Sequence, residues 1–243
     1  MTTYTKRLQK VTAVLCTTAL LAGCAAGTSD NTEPAATTAQ VKTITIEPTA
    51  AYQTMNGFGA SACWWSQEVG NWENAKDILS LLYDENSGIG LNIYRYNLGA
   101  GSKDDTTITD PDRRAEAFID KDGSYHWERD AAAQNALALA KSMNKDLRVT
   151  LFSNSAPVFY TANGKAYCDY LPDDEKYVTN LEPERYADFA KYSIACAKHF
   201  TEAGYRVTDL SPINEPEWSW RGYEDGTAKQ EAVSYTHLRA HET

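Results

Sequence analysis

Val207-Thr208-Asp209-Leu210-Ser211-Pro212-Ile213-Asn214-Glu215-Pro216-Glu217-Trp218-Ser219-Trp220 is the stretch from which the rest of the chain can be read. A strand-like run from Val207 to Ile213, with Val207, Leu210 and Ile213 apolar, stops abruptly at Asn-Glu-Pro, and two tryptophans follow. The pattern predicts a buried strand that holds a carboxylate rigidly at its tip, with the carboxylate head open to a cleft. Pro216 disfavours helical geometry at the residue before it, so the backbone is expected to be extended at Glu215. The amide of Asn214 can hydrogen-bond a hydroxyl beside that carboxylate, and Trp218 and Trp220 offer flat apolar faces for sugar rings. Carboxylate, amide and aromatic platform together are what a sugar-cleaving site assembles around its acid/base. A plain strand end followed by a turn fits the same residues, so the upstream chain has to decide.

Upstream of Arg206 the chain alternates between two periodicities. Glu182-Pro183-Glu184 opens a predicted helix through Phe200, acidic in its first turn, with Pro183 tolerated there and Gly204 closing it. Leu147 to Ser153 reads as a strand ending in Asn154-Ser155-Ala156-Pro157, followed by a Tyr- and Gly-rich loop, Phe159 to Asp174. Asp130 to Met143 is an alanine-rich helix with Ala136, Leu137, Ala140 and Met143 on one face. Lys103 to Trp127 is a long polar connection. Gly90 to Tyr96 is a strand running into Asn97-Leu98-Gly99-Ala100-Gly101, and Asn74 to Tyr83 is a helix ended by Asn86-Ser87-Gly88. Thr54 to Ala60 passes through Gly57-Phe58-Gly59 into a loop bearing Trp64-Trp65, and Thr43 to Glu47 alternates as a short strand. Adjacent tryptophans on a strand cannot both face one core, so one of the pair is expected to line a cleft; packing of both beneath loops is the alternative.

Strands alternating with longer helices predict an α/β fold with parallel strands and right-handed crossovers. A doubly wound sheet and a (β/α)8 barrel share that pattern. Trp64-Trp65, Arg95, Asn154 and Glu215 all fall at the C-terminal ends of successive strands, which converge on one face in a barrel. Gly57-Phe58-Gly59 lacks the third glycine of a phosphate-cradling fingerprint. The barrel is therefore the expected fold. Arg95, near the end of its strand, needs a carboxylate or hydroxyl partner, and a structural ion pair is the alternative to a ligand contact.

The 243 residues carry a formal charge of −10, or −13 once Lys6, Arg7 and Lys10 are removed with the leader. That surface argues against nucleic acid and anionic lipid head groups and is compatible with a neutral polysaccharide. The three basic residues precede an apolar run, Val11 to Leu21, too short to span a bilayer. The run ends in Leu21-Ala22-Gly23-Cys24, which resembles a bacterial lipobox; the resemblance implies cleavage after residue 23 and lipid on Cys24. An ordinary secretory leader is the alternative. Residues 24–40, dominated by Ala, Thr, Ser, Asp, Asn and Glu, read as a flexible tether. The mature protein is thus expected outside the cytoplasm, anchored to a bacterial membrane. Beyond Cys16 and Cys24 remain Cys63, Cys168 and Cys196. Their spacing makes no zinc site, a Cys63–Cys168 bridge is possible, and Cys196 falls on a helix core face. His126 and His199 are isolated, so neither metal catalysis nor a cofactor is expected.

With these motifs in place the chain resembles glycoside hydrolase family 30. The resemblance rests on Gly57-Phe58-Gly59-Ala60-Ser61 with Trp64-Trp65, Arg95-Tyr96-Asn97-Leu98-Gly99, Ser153-Asn154-Ser155-Ala156-Pro157 with Asn163-Gly164, and Pro212-Ile213-Asn214-Glu215-Pro216. It implies a (β/α)8 barrel carrying a side β-sandwich, to which Thr43–Glu47 contributes one strand. It also implies a retaining glycosidase with Glu215 as general acid/base, and Arg95, Asn154 and Asn214 contacting substrate. Trp64, Trp65, Trp218 and Trp220 look most like the branch acting on β-1,6-linked galactan, while relatives cleave β-1,6-glucan, xylan or glucosylceramide. A non-catalytic sugar-binding lipoprotein using the same tryptophans is the alternative of a different class.

A retaining glycosidase needs a second carboxylate as nucleophile. In this family it lies on a later strand, and four strand–helix units do not close an eight-stranded barrel. The family portion is therefore expected over residues 41–231 as an N-terminal part, folding poorly and hydrolysing nothing by itself. Residues 232–243 close the chain, and Val233 to Thr243 is similar to an in-frame translation of a transposase adapter sequence, directly after Gln230-Glu231-Ala232, where the family often shows Gln-Glu-Gly. A genuine short protein with a helical tail is the alternative.

Overall fold

A computed structural model describes residues 44, 45, 47, 49–170, 180–215 and 221–232. The chain divides into two units, Met1–Tyr52 and Gln53–Thr243. In the first, the Glu47 carboxylate accepts from the backbone N–H and hydroxyl of Thr49, closing a local turn. The strand expected over Thr43–Glu47 is not formed at Ile44, Thr45 or Glu47, which are exposed and irregular; Thr43 and Ile46 lie outside the described residues. A strand persists only beside a paired neighbour, and no described residue pairs with this stretch.

The second unit is built on four strands: β1 (Gly59–Ser61), β2 (Ile93–Asn97), β3 (Arg148–Phe152) and β4 (Arg206–Ser211). All neighbours are parallel, and the spatial order β1-β2-β3-β4 repeats the chain order. A doubly wound sheet reverses its order at a switch point, whereas a barrel adds strands in sequence. The sequential order is that of the N-terminal half of a (β/α)8 barrel. The crossovers are helical: α1 (Ser66–Val69) and α2 (Ala75–Tyr83), then α3 (Ala131–Met143), then α4 (Tyr186–Glu202). The one-turn α1 has too short a pattern to be legible in the sequence.

The helices bury the faces their spacing dictates. Ala132, Ala133, Ala136, Leu137 and Ala140 put α3 against the sheet, and Phe189, Tyr192, Cys196 and Phe200 do so for α4. At Gly70, after α1, a Cβ would come within 1.8 Å of the Ala132 carbonyl, so only glycine lets α1 lie this close to α3. Tyr94, Tyr96, Val149 and Leu151 point to the helices and are wholly buried. The Tyr96 hydroxyl donates to Asp130 at 2.6 Å, and burial lifts the Asp130 carboxyl to a pKa of about 7. Asp130, expected inside α3, instead precedes it with φ 54°. Cys196 is core, as its spacing suggested, and no disulfide joins Cys63 to Cys168.

Two expectations for β4 need correction. The strand stops at Ser211 rather than Ile213, because Pro212 has no N–H for the ladder. Nor is it buried: Arg206, Thr208, Asp209 and Leu210 are exposed, since among the described residues β4 is an edge strand. Its register with β3 also shifts between Val149 and Thr150, leaving Thr208 as an extra residue. Among the described residues no helix is long and apolar enough to cross a membrane.

Candidate active site

Residues two apart on a strand share a face, so β2 presents Arg95 and Asn97 together on the side away from the helices. Register sets Ser61 of β1 and Thr150 of β3 beside Arg95, and Phe152 beside Asn97. The Arg95 guanidinium lies over the Phe152 ring, 3.3 Å from its centroid. Its Nη2 donates to Asn214 Oδ1 at 2.6 Å and its Nη1 to Ser61 Oγ at 3.3 Å. Asn214 Nδ2 in turn donates to Asn154 Oδ1 at 3.2 Å. Asn154 Nδ2 donates to Asn97 Oδ1 at 3.1 Å and to Cys63 Sγ at 3.0 Å.

The direction of this chain follows from its first member. Arginine only donates, so Asn214 must present its oxygen to Arg95 and its NH2 to Asn154. Asn154 must then offer oxygen to Asn214 and NH2 to Asn97 and Cys63. One cation thus orients three amides across the ends of β2, β3 and β4. Arg95 thus has the hydroxyl partner its sequence context called for, in Ser61, together with the Asn214 amide and the Phe152 ring. Partial burial lowers its pKa, with Cys63 and then Glu215 acting in the opposite direction. Burial pushes the Cys63 thiol up, so it is neutral and serves as a hydrogen-bond acceptor.

Glu215 is exposed at this same end of the sheet, close enough for its charge to act on Arg95. Its backbone is not extended, as expected, but left-handed, with φ 47°. Pro216 removes the right-handed helical region, and the chain has already left the ladder at Pro212, so a turn conformation takes the place of the extended one. Such a φ in a residue with a Cβ is uncommon and is typical of turns that aim a side chain.

The tryptophan pair separates. Trp65 caps α1, packs on the core against Tyr94, and spends its Nε1 on the Ser61 carbonyl at 2.8 Å. Trp64 remains half-buried outside that cluster. Of the two expected substrate contacts, Trp65 is thus partly committed to the core and Trp64 is not among the residues packed on it. Trp218, Trp220 and Cys24 lie outside the described residues. Asn97, Ser61 and Cys63 were not singled out as site residues, although their positions two residues from Arg95, at the register partner of Arg95, and two beyond Ser61 carried the signal.

Guanidinium, oriented amides and an exposed carboxylate at converging strand ends can donate to and accept from several hydroxyl groups at once. Residues 41–239 match the sequence pattern of O-Glycosyl hydrolase family 30. The chain belongs to this family.

The family-30 match runs past the boundary expected at residue 231. The chain is 29% identical over 204 residues to an endo-β-1,6-galactanase of Hypocrea rufa, covering 73% of this chain and 40% of that protein. It is 26% identical over 241 residues to an exo-β-1,6-galactobiohydrolase of Bifidobacterium longum subsp. longum, covering 74% of this chain and 15% of that protein. Its fold is similar to that of a conserved exported protein from Bacteroides fragilis, with a TM-score of 0.69 and 28% identity, covering 79% of this chain and 40% of that one. The chain thus spans about 40% of the length of the galactanase and of the solved structure.

Proposed function

We propose that the full-length protein is a retaining glycoside hydrolase acting on β-1,6-linked galactan. The observation that carries the reading is the directional chain from Arg95 through Asn214 to Asn154, placed beside Glu215 at the C-terminal ends of the strands. Glu215 protonates the leaving glycosidic oxygen and later takes a proton from the attacking water. Arg95, Asn154 and Asn214 hold sugar hydroxyls, and Trp64 supplies an apolar face, joined by Trp218 and Trp220. The nucleophile is a second carboxylate from a later strand, about 5–5.5 Å from Glu215 in the closed barrel. The β-1,6-galactosyl linkage is favoured because it stands in the names of both curated relatives.

The basic-then-apolar start ending in Cys24 supports export and lipid anchoring, and the similarity to an exported protein agrees with export. A neutral glycan suits the acidic surface. The test is release of reducing sugar from β-1,6-galactan by the full-length protein and its Glu215→Gln variant. Turnover that disappears in the variant is expected. A wild-type protein inert on every β-glycan but still binding galactobiose would leave the sugar-binding reading in its place.

A further inference from the structure

Glu231 is a carboxyl held against the loop that follows β2, and it is wholly buried. Its Oε1 accepts from Ala100 N at 3.0 Å and from Ser102 Oγ at 2.7 Å, and Ser102 Oγ in turn accepts from Ala115 N at 3.2 Å. Its Oε2 has no partner among the described residues, and neither does Asn97 Nδ2. The segment around it is stitched into two strand-end loops. Arg113 Nη1 donates to Gln230 Oε1 at 2.6 Å, Glu231 N to Arg113 O at 3.3 Å, and Ala232 N to Ala166 O at 2.8 Å. The turn that Glu231 grips begins directly after Asn97, the last amide of the chain that starts at Arg95. That turn has no slack: a Cβ at Gly99 would meet the Glu116 carbonyl at 2.3 Å. The carboxyl is also near enough to the site for its charge to bear on Cys63, the other acceptor of Asn154.

A wholly buried carboxyl with no ion-pair partner among the described residues is costly. We propose that Glu231 is a positioning residue of the sugar site: by clamping the Leu98–Ser102 turn it fixes Asn97, and through Asn97 the orientation of Asn154. This inference rests on the glycosidase reading for its effect on turnover. Its effect on Cys63 does not depend on that reading.

The experiment uses the full-length protein with Glu231→Ala, Glu231→Gln and Ser102→Ala, assayed well below the unfolding temperature. kcat/KM on β-1,6-galacto-oligosaccharides is expected to fall at least tenfold in Glu231→Ala. It should return to within threefold of wild type in Glu231→Gln, whose Oε1 still accepts, and lie between these in Ser102→Ala. Alkylation of Cys63 by N-ethylmaleimide, followed by mass spectrometry, should accelerate several-fold in Glu231→Ala and Ser102→Ala, while Cys196 in the α4 core stays as slow as in wild type. Unchanged Cys63 reactivity and turnover, or Cys63 and Cys196 loosening together, would overturn the inference. If Glu231→Ala does not fold, Ser102→Ala decides by the same criteria. Wild-type protein without turnover contradicts the glycosidase reading instead, and the ratio of Cys63 to Cys196 reactivity still decides whether Glu231 orders the site.

Discussion

Tyr94 and Tyr96 point from β2 into the helices, while Arg95 and Asn97, their immediate neighbours, point to the other side, and the two sides are built differently. Towards the helices, apart from the Tyr96 hydroxyl's bond to Asp130, the contacts are mainly volume: Tyr94 on Tyr83 at 5.5 Å, Tyr96 on Phe200 at 4.9 Å, with Val149 and Leu151 fully buried. Polar tips are tolerated there even without partners, as with the Tyr83 and Tyr94 hydroxyls, which have none among the described residues. On the opposite side each side chain is fixed by direction. Arg95 sets Asn214, Asn214 sets Asn154, and Asn154 sets Asn97. The difference teaches that one alternating strand serves two purposes. Its helix side supplies stability, which is insensitive to orientation, and its other side supplies an oriented array of donors, which contributes little to the core.

Substitutions on the two sides should therefore separate activity from stability. The largest effect is expected from Glu215→Gln in the full-length protein, which removes the transferable proton and lowers kcat about 10²–10⁴-fold with an unchanged melting temperature, read from reducing-sugar release and calorimetry. Leu151→Ala on the helix side should do the reverse. It costs about 2–5 kcal/mol in urea unfolding while kcat per folded molecule stays at the wild-type value. A smaller effect is expected from Arg95→Lys, which keeps the charge and loses the forked donors to Asn214 and Ser61. Its kcat/KM should drop about 10–100-fold, mostly in KM, at near-wild-type stability. A large stability loss in Arg95→Lys would break the separation of the two sides.

Much of this division was legible in the sequence. The sequence places strands at Gly90–Tyr96 and Leu147–Ser153, and the period of two then divides Tyr94 and Tyr96 from Arg95 and Asn97. The placement of Asn154 and Glu215 after their strands predicts the end at which the site forms. Strand and helix positions came out within a few residues, because the periodicities of 2 and 3.6 are local properties. What was not legible depends on contacts remote in sequence. Trp64 and Trp65 look equivalent until Tyr94 claims one of them. Glu215 looks extended until Pro212 has ended the ladder. Glu231 stands in the sequence only as the middle of a Gln-Glu-Ala where the family often shows Gln-Glu-Gly, and only the fold shows that Ala100 and Ser102 close over it. Thr43–Glu47 alternates as a strand should, yet alternation alone supplies no partner to pair with.

The smallest expected effect concerns pH and sharpens the same contrast. Burial raises the folded pKa of Glu231 to about 7, against an ordinary glutamate value of 4.5. A carboxyl raised in the folded state contributes its full stability below the unfolded value and loses it as pH rises through the folded one. Glu231→Gln should therefore flatten the decline in unfolding free energy between about pH 4.5 and 7 by roughly 1–3 kcal/mol. Chemical denaturation across that window measures it, and a parallel decline in wild type and variant would contradict the assignment.

On the glycosidase reading Glu215 is the proton donor to the leaving group at the oriented face of the sheet. Leaving-group dependence tests it most directly: full-length wild type and Glu215→Gln are compared on a β-1,6-galactobioside and on an aryl β-galactoside whose phenolate needs no proton to depart. The variant is expected to lose the galactobioside by orders of magnitude yet release a burst of phenolate from the aryl substrate, whose departure needs no acid while hydrolysis of the glycosyl-enzyme, lacking its base, is slow. Equal losses on both substrates with no burst, or no loss on the galactobioside, would contradict it.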